Sequence, residues 1–272
     1  MKLFQIFYNK ETRKKIQPEF IPLDNTNALE PDWFEFEPIR KALLEHDFND
    51  DEYIGFFSPS FTNKTGMTSK DVVNVVEKSN AEVISFSGNL ITNITWTSSY
   101  ASGEAFHAGF MDTFQQLMDS IGLKIKVNGL VSNQSRTIYS NYWVAKKSLW
   151  DEWLTYANKI YQITHDHDND LAKKLNFKTT YKSGSEKMKV FIMERLINAL
   201  LENKSLDAEI GTDYEKYFQN INLPGQFVHE LFFVDGLKNL YIQYKKNIFM
   251  QMYIYHRDRF KNTSSKTSKH LK

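Results

Sequence analysis

Apolar positions along the chain follow two rhythms. Short runs of β-rich apolar residues predict strands at Leu3 to Tyr8, Glu52 to Phe57 and Glu82 to Phe86. Between them lie segments with helical spacing. One starts near Pro38 and puts Ile39, Leu43 and Leu44 on one face; another carries Val72, Val73 and Val76 behind Ser69 as N-cap, with Asn80 as its stop. Strand, helix, strand in this order predicts a parallel sheet covered by helices. Phe106, Phe110, Phe114, Leu117 and Ile121 extend the helical rhythm over Glu104 to Ile121, and Gly122 follows as a C-terminal cap. Lys124 to Val131 and Thr137 to Val144 read as strands. Ser148 with Asp151 reads as a capping pair for a helix whose apolar stripe is Leu149, Trp150, Trp153, Leu154, Ala157, Ile160 and Tyr161. Met188 to Glu202 is a further helix, and residues 225–260 are helical and aromatic.

The 272-residue chain suits one large domain with an appendage. The expected organisation is a main α/β domain over 1–224, a helical C-terminal extension over 225–260, and a basic tail over 261–272. That tail is Ser, Thr and Lys-rich and is expected to be disordered. Phe and Tyr are abundant, at 21 and 14 residues, and the simplest use for them is core packing. The chain has no cysteine, which excludes disulfides and thiolate zinc sites. The N-terminal apolar run is too short for a signal peptide, and no stretch is long enough to span a bilayer, so a cytoplasmic location is expected. Charge is uneven. Residues 30–52 are acidic, whereas the end of the chain interleaves Lys245, Lys246, Arg257, Arg259 and Lys261 with Tyr244, Phe249, Tyr253, Tyr255 and Phe260. Such a stretch suits an anionic membrane surface, nucleic acid, or an ordinary basic helix; no RNA-binding motif accompanies it, and no nucleic-acid partner is expected.

No phosphate-binding glycine loop, dinucleotide turn, nucleophile elbow or zinc-protease helix is present. The candidate chemistry is therefore scattered. His165-Asp166-His167-Asp168-Asn169-Asp170 has divalent-metal ligand types but reads first as a solvated acidic turn. Asp24 and Asn25 follow the first strands, either as turn formers or as ligand contacts at the carboxyl edge of the sheet. Asp32, Trp33 and Glu35 place carboxylates beside aromatic rings, a combination suited to a sugar or to a packed loop. His107 is expected in the first turn of the Glu104 helix, where free N–H groups favour a phosphate. Glu194 lies on the apolar face of its helix. Such a carboxylate is either ion-paired or raised in pKa, and the second condition suits a general base.

Several runs together resemble a known group. Ile21-Pro22-Leu23-Asp24-Asn25, Pro31-Asp32-Trp33-Phe34-Glu35 and Tyr53-Ile54-Gly55-Phe56-Phe57-Ser58 resemble bacterial proteins encoded among capsule and lipopolysaccharide genes. Asn141-Tyr142-Trp143-Val144-Ala145-Lys146-Lys147 running into Trp150-Asp151-Glu152-Trp153-Leu154, and then Phe191-Ile192-Met193-Glu194-Arg195-Leu196, are similar to stretches of GT-A-like glycosyltransferases. The resemblance covers roughly residues 1–203. It implies a Rossmann-like GT-A domain, a nucleotide-sugar donor and a growing surface glycan as acceptor. On that basis Asp24, Asn25, Asp32, Trp33 and Glu35 line the donor site, and Asn141 binds sugar hydroxyls. His107 and Arg195 also contact substrate. Glu194, or alternatively Glu104, is the base, and the basic C-terminus lies near the inner membrane. One departure stands out. GT-A enzymes usually carry an Asp-x-Asp pair for manganese or magnesium after a central strand, and here that place reads Ser87-Gly88-Asn89-Leu90. Either the metal ligands lie elsewhere, or the leaving phosphate is neutralised without metal. A transferase adding a phosphate-containing decoration, or a non-catalytic binding protein on a transferase-like fold, remain the alternatives.

Overall fold

The structure, a computed structural model, describes the chain except residues 167, 182–183 and 269–272, with backbone only at 180, 181, 184 and 264–268. Its centre is a six-stranded sheet. The strands β1 (Lys2–Phe7), β2 (Ile21–Asp24), β3 (Tyr53–Phe57), β4 (Val83–Ser85) and β5 (Trp143–Lys146) are joined by a last short one. A separate antiparallel hairpin, β6 (Lys178–Tyr181) and β7 (Gly184–Lys187), precedes that last strand, β8 (Glu209–Ile210). The sheet order is β2-β1-β3-β5-β4-β8. The pairs β1–β2, β1–β3 and β4–β8 are parallel; β5 alone runs the other way, antiparallel to both β3 and β4. The expected α/β class with a mostly parallel sheet flanked by helices is what the structure shows. β1 and β3 are buried on both faces because helices cover both, which explains why they read as continuous apolar runs rather than alternating ones.

The helices are α1 (Lys10–Arg13), α2 (Phe36–Glu45), α3 (Phe61–Thr65), α4 (Ser69–Val76), α5 (Leu90–Thr95), α6 (Ser99–Phe106) and α7 (Phe110–Ile121). Then come α8 (Lys147–Thr164), α9 (Asp170–Asn176), α10 (Met188–Glu194), α11 (Leu196–Lys204), α12 (Tyr214–Asn220), α13 (Gly225–Tyr244) and α14 (Asn247–Ser268). The strongest sequence signal, the stripe of α8, is buried as expected at Leu149, Trp150, Trp153, Ala157 and Ile160. Trp150 stacks on Trp143 of β5 at 3.7 Å between centroids and donates from Nε1 to the Ile54 carbonyl at 2.8 Å. This ties the longest helix of the main body to the two strands at the middle of the sheet.

Several expectations are corrected. The helix predicted over Glu104 to Ile121 is two helices, α6 and α7, separated at His107 to Gly109, with Gly109 at φ 82°. The helix predicted over Met188 to Glu202 breaks at Arg195, which ends α10 and begins α11. Residues 124–131 form no strand, and of 137–144 only the end is paired, in β5. Loop hydrogen bonds replace the ladder there: Gln115 binds both the Ile125 carbonyl and the Val127 amide. α4 is capped by Thr68 in a box with Asp71 and ends at Val76, short of Asn80. α8 starts at Lys147 without a side-chain cap, and Asp151 pairs with Lys147 instead. Leu44 is exposed at the end of α2. α14 continues through residue 268, into the stretch expected to be disordered; residues 269–272 lie outside the described residues.

The C-terminal hairpin of α13 and α14 packs on α5. Leu90 and Ile94 join Phe227, Leu231, Val234, Leu237, Tyr253 and Phe260 in one buried cluster. Polar groups reinforce the seam. Lys238 is fully buried and donates to the Asn93 carbonyl, the Asn93 side chain and the Trp96 carbonyl at 2.8, 3.2 and 3.1 Å. Asn93 in turn donates to Asp235 at 2.9 Å.

Candidate functional site

The parallel strands deliver their carboxyl ends to one edge. Tyr8 follows β1, Asp24 and Asn25 end β2, Ser58 to Lys64 follow β3, and Ser87 to Asn89 follow β4. Because β5 runs the opposite way, the residues entering it, Ser140 to Tyr142, lie at the same edge. Ligand clefts of open α/β sheets form at this edge. A cavity of about 580 Å³ occupies it here, and Trp33, Glu35, His107, Asn141, Glu194 and Arg195 all line it. Six of the ten residues singled out from the sequence thus share one wall, although they span residues 33 to 195.

Two carboxylates face the cavity through one turn. Ser140 and Asn141 both have left-handed backbone, at φ 62° and 48°. Consecutive non-glycine residues in this region are strained, and such strain concentrates at functional sites. The turn joins the carboxylates: the Ser140 amide donates to Glu194 Oε1 at 2.8 Å, and Asn141 Nδ2 donates to Glu35 Oε2 at 3.0 Å. Glu194 is therefore held by a main-chain amide, and among the described residues no cation pairs with it. Glu35 is half-buried, and burial pushes its carboxyl up to about 7. The Asn141 hydrogen bond and Lys64 pull it back down, while the Glu194 charge adds to the rise. Lys64 reaches the Ser140 hydroxyl at 3.3 Å. Burial, and then the Glu35 charge, also raise the phenols of Tyr8 and Tyr142.

The opposite chemistry sits on the neighbouring residue. Arg195 is buried, at 6% exposure, and spends Nε on the Ser99 carbonyl and one terminal nitrogen on the Phe191 carbonyl, both at 2.9 Å. Among the described residues no carboxylate lies within 4.0 Å of its guanidinium. A buried cation without a counter-charge is unfavourable unless an anion completes it. The Tyr139 phenol is also buried at the cavity, and burial pushes it up to about 12. Ser102 lies close enough to its hydroxyl to oppose that rise slightly, but not in hydrogen-bond geometry.

Other expected residues have surroundings different from those expected, whether they line the cavity, as His107 and Trp33 do, or lie outside it. His107 is not in a first helical turn: it ends α6, its ring stacks on Phe191 at 3.8 Å, and Nδ1 lies 3.3 Å from the Thr179 hydroxyl. The anion site expected from free N–H groups at this helix start is thereby removed, since the start of α6 is Ser98 and Ser99. Glu104 lies outside the cavity. Its two oxygens accept the amides of Gly109 and Met111 at 3.0 and 2.8 Å and so cap α7. Asp32 binds Lys187 and Lys189 at 2.6 and 3.0 Å, and Trp33 is a core residue with Lys189 4.1 Å from its ring centroid. Asp24 accepts the Thr26 amide at 2.8 Å, which lowers its pKa in an ordinary turn. Asn25 extends the sheet by donating to the Phe7 carbonyl and lines an adjoining recess of about 480 Å³ that shares Tyr8 and Phe34 with the main cavity.

The places considered for a metal, the His165 run and the turn after β4, supply no ligand set among the described residues. No set of three or more His, Asp or Glu side chains with metal-ligating geometry occurs among the described residues. After β4, the Ser87 hydroxyl accepts the Tyr139 amide, and Asn89 caps α5. In the His165 run, His165 binds Glu30 and Asn169 caps α9, while His167 lies outside the described residues. Among the residues that the sequence reading missed at the cavity are Tyr8, Lys64, Tyr139, Ser140 and a third carboxylate, Glu186. Tyr8 had the available signal of standing directly after the first strand; Lys64 had none. Comparison with protein-family models, curated proteins and solved structures returns no match for this chain.

Proposed function

We propose that this cavity binds an activated sugar nucleotide and transfers the sugar to a hydroxyl group of a growing surface polysaccharide. The observation that carries the reading is the pairing of two carboxylates, Glu35 and Glu194, with an uncompensated buried Arg195 in one cavity at the carboxyl edge of the sheet. In the proposed step the acceptor oxygen forms a bond to the anomeric carbon as the bond from that carbon to the donor phosphate breaks. The acceptor proton passes to the carboxylate pair, and Glu35, held near neutrality, is the member suited to take it. The leaving phosphate departs with the bonding electrons, and Arg195 stabilises the charge that develops on it. Phe34 and Phe106, exposed at the cavity, offer flat faces to a base or a sugar ring. No step is routed through a metal, because the residues present do not fit one.

The test is a panel of UDP-, GDP-, CMP- and dTDP-sugars, with and without manganese, read by melting temperature and by product formation. One nucleotide is expected to raise the melting temperature selectively, since a ligand that binds only the folded state stabilises it. Glu35→Gln and Glu194→Gln are expected to keep that rise and lose turnover. Absence of any shift and any product would overturn the proposal. A selective shift without product from any sugar nucleotide would favour the non-catalytic alternative.

A further inference from the structure

α14 carries two apolar stripes, and the fold uses one of them. Phe249, Tyr253 and Phe260 face the protein; Tyr253 is fully buried and its hydroxyl donates to the Ile94 carbonyl at 2.9 Å. On a second face Ile248, Met252 and Tyr255 recur at i, i+4 and i+7 and are 55, 36 and 65% exposed. Tyr244, exposed at the end of α13, lies near Phe249, with ring centroids 6.1 Å apart, and is not part of that patch. A cluster of large exposed apolar side chains in helical register marks an interaction surface rather than ordinary surface scatter.

The charges around the patch identify what it meets. Lys245 and Lys246 form the turn between the helices, and both are exposed. Lys245 adopts φ 52°, a conformation that favours glycine or asparagine, yet a lysine stands there. Arg259 lies on the same helical face as Ile248, Met252 and Tyr255 one further turn along; its side chain is 64% exposed and its Nε lies 3.9 Å from Glu230 of α13, so among the described residues the free cations of the patch are the two lysines of the turn. Asp258, the nearby acid, is already held by Arg257 at 2.8 Å. Two copies of the chain meeting through this patch about a two-fold axis would bring like cations together. An anionic surface would not. No helix among the described residues is long and apolar enough to cross a membrane, so the contact is one of lying on a surface.

We infer that the outer face of the α13–α14 hairpin docks on an anionic phospholipid surface. Ile248, Met252 and Tyr255 enter the headgroup boundary, and Lys245 and Lys246 pair with lipid phosphates. The inference is independent of the chemistry in the cavity, since it requires neither donor nor turnover.

Co-sedimentation of the full chain with phosphatidylcholine vesicles, with and without phosphatidylglycerol, tests it. Binding is expected only when phosphatidylglycerol is present, and it weakens as salt is raised. Lys245→Gln and Lys246→Gln should each reduce the partition coefficient roughly fivefold. The triple change Ile248→Glu, Met252→Glu and Tyr255→Glu should abolish binding with the melting temperature unchanged, because all three side chains are exposed. Equal binding to both vesicle types, no binding to either, or retained binding by the triple variant would overturn the inference. A dimer that the triple variant converts to monomer would also overturn it, by assigning the patch to a second copy.

Discussion

At the scale of single residues, the most informative group is Glu35, whose proton affinity is set by opposing neighbours. Burial lifts its pKa from the ordinary carboxylate value to about 7, and Asn141 and Lys64 limit the rise. A carboxyl whose folded pKa exceeds its unfolded one binds more protons when folded throughout the interval between the two. Unfolding free energy therefore falls as pH rises through that interval, from the ordinary carboxylate range to about 7. Urea unfolding across this range should show the wild type losing about 2 kcal/mol relative to Glu35→Gln, less than the full shift because the cavity admits water. A base of this affinity also predicts that kcat/KM rises with pH to a plateau with an apparent pKa near 7. Asn141→Gly keeps the left-handed backbone but removes the amide that holds the ionised form. The pH–rate profile of that variant should move to higher pH; an unchanged profile would detach Asn141 from the proton chemistry. Part of this site was legible from the sequence as carboxylates beside aromatics; Asn141 was singled out only through the family resemblance and was read as part of a strand, whereas it lies in the turn before β5. The pairing was not legible, because Glu35 and Glu194 are brought together by the turn at Ser140, whose backbone no local pattern encodes.

At the scale of elements, the two predicted helices that break show where periodicity misleads. Phe106, Phe110 and Phe114 keep helical spacing in the sequence across the junction of α6 and α7, but the break parts their faces: Phe106 is exposed, whereas Phe110 and Phe114 are buried. The cues that end the first helix are Gly103 and Gly109. A methyl group at Gly103 would sit 2.5 Å from the Phe110 ring, so glycine there permits the close approach of the two helices, and Gly109 takes the φ of 82° that starts α7. Glu104, read from sequence as a possible base, is consumed by this junction as the cap of α7. Glu104→Ala should lower stability by about 1 kcal/mol with catalytic constants unchanged, measured by thermal unfolding and donor turnover. A loss of turnover out of proportion to stability would return Glu104 to the site. The break at Arg195 has the opposite consequence. It turns Glu194 toward the Ser140 turn while Arg195 runs back under α6, so adjacent residues supply a carboxylate and a guanidinium to one cavity. A continuous helix over Met188 to Glu202 would not part them in this way.

At the scale of the whole molecule, β1, β3 and β4 were legible because they are short apolar runs separated by helical spacing; the edge strands β2, with its Pro22 and exposed Ile21, and the two-residue β8 were not, nor was the manner in which the C-terminal hairpin attaches. The sequence suggests an appendage. In the structure that hairpin is joined to α5 through Asn93, Asp235 and Lys238, which lie up to 145 positions apart in the chain and carry no mark of their pairing. Burial raises the Asp235 carboxyl and lowers the Lys238 ammonium to about 7, so each is tolerable inside only because the other and Asn93 are present. Lys238→Met preserves the volume but leaves the Asn93 and Trp96 carbonyls without a donor and Asp235 without its cation. A loss of about 3 kcal/mol is expected in urea unfolding. The form of the transition is the sharper readout. α5 contributes Asn89 and Thr92 to the cavity, so loosening the hairpin should also weaken the stabilisation conferred by a sugar nucleotide. An appended hairpin would instead unfold in a separate early step and leave that stabilisation intact, in which case the seam holds the hairpin in place without supporting the cavity.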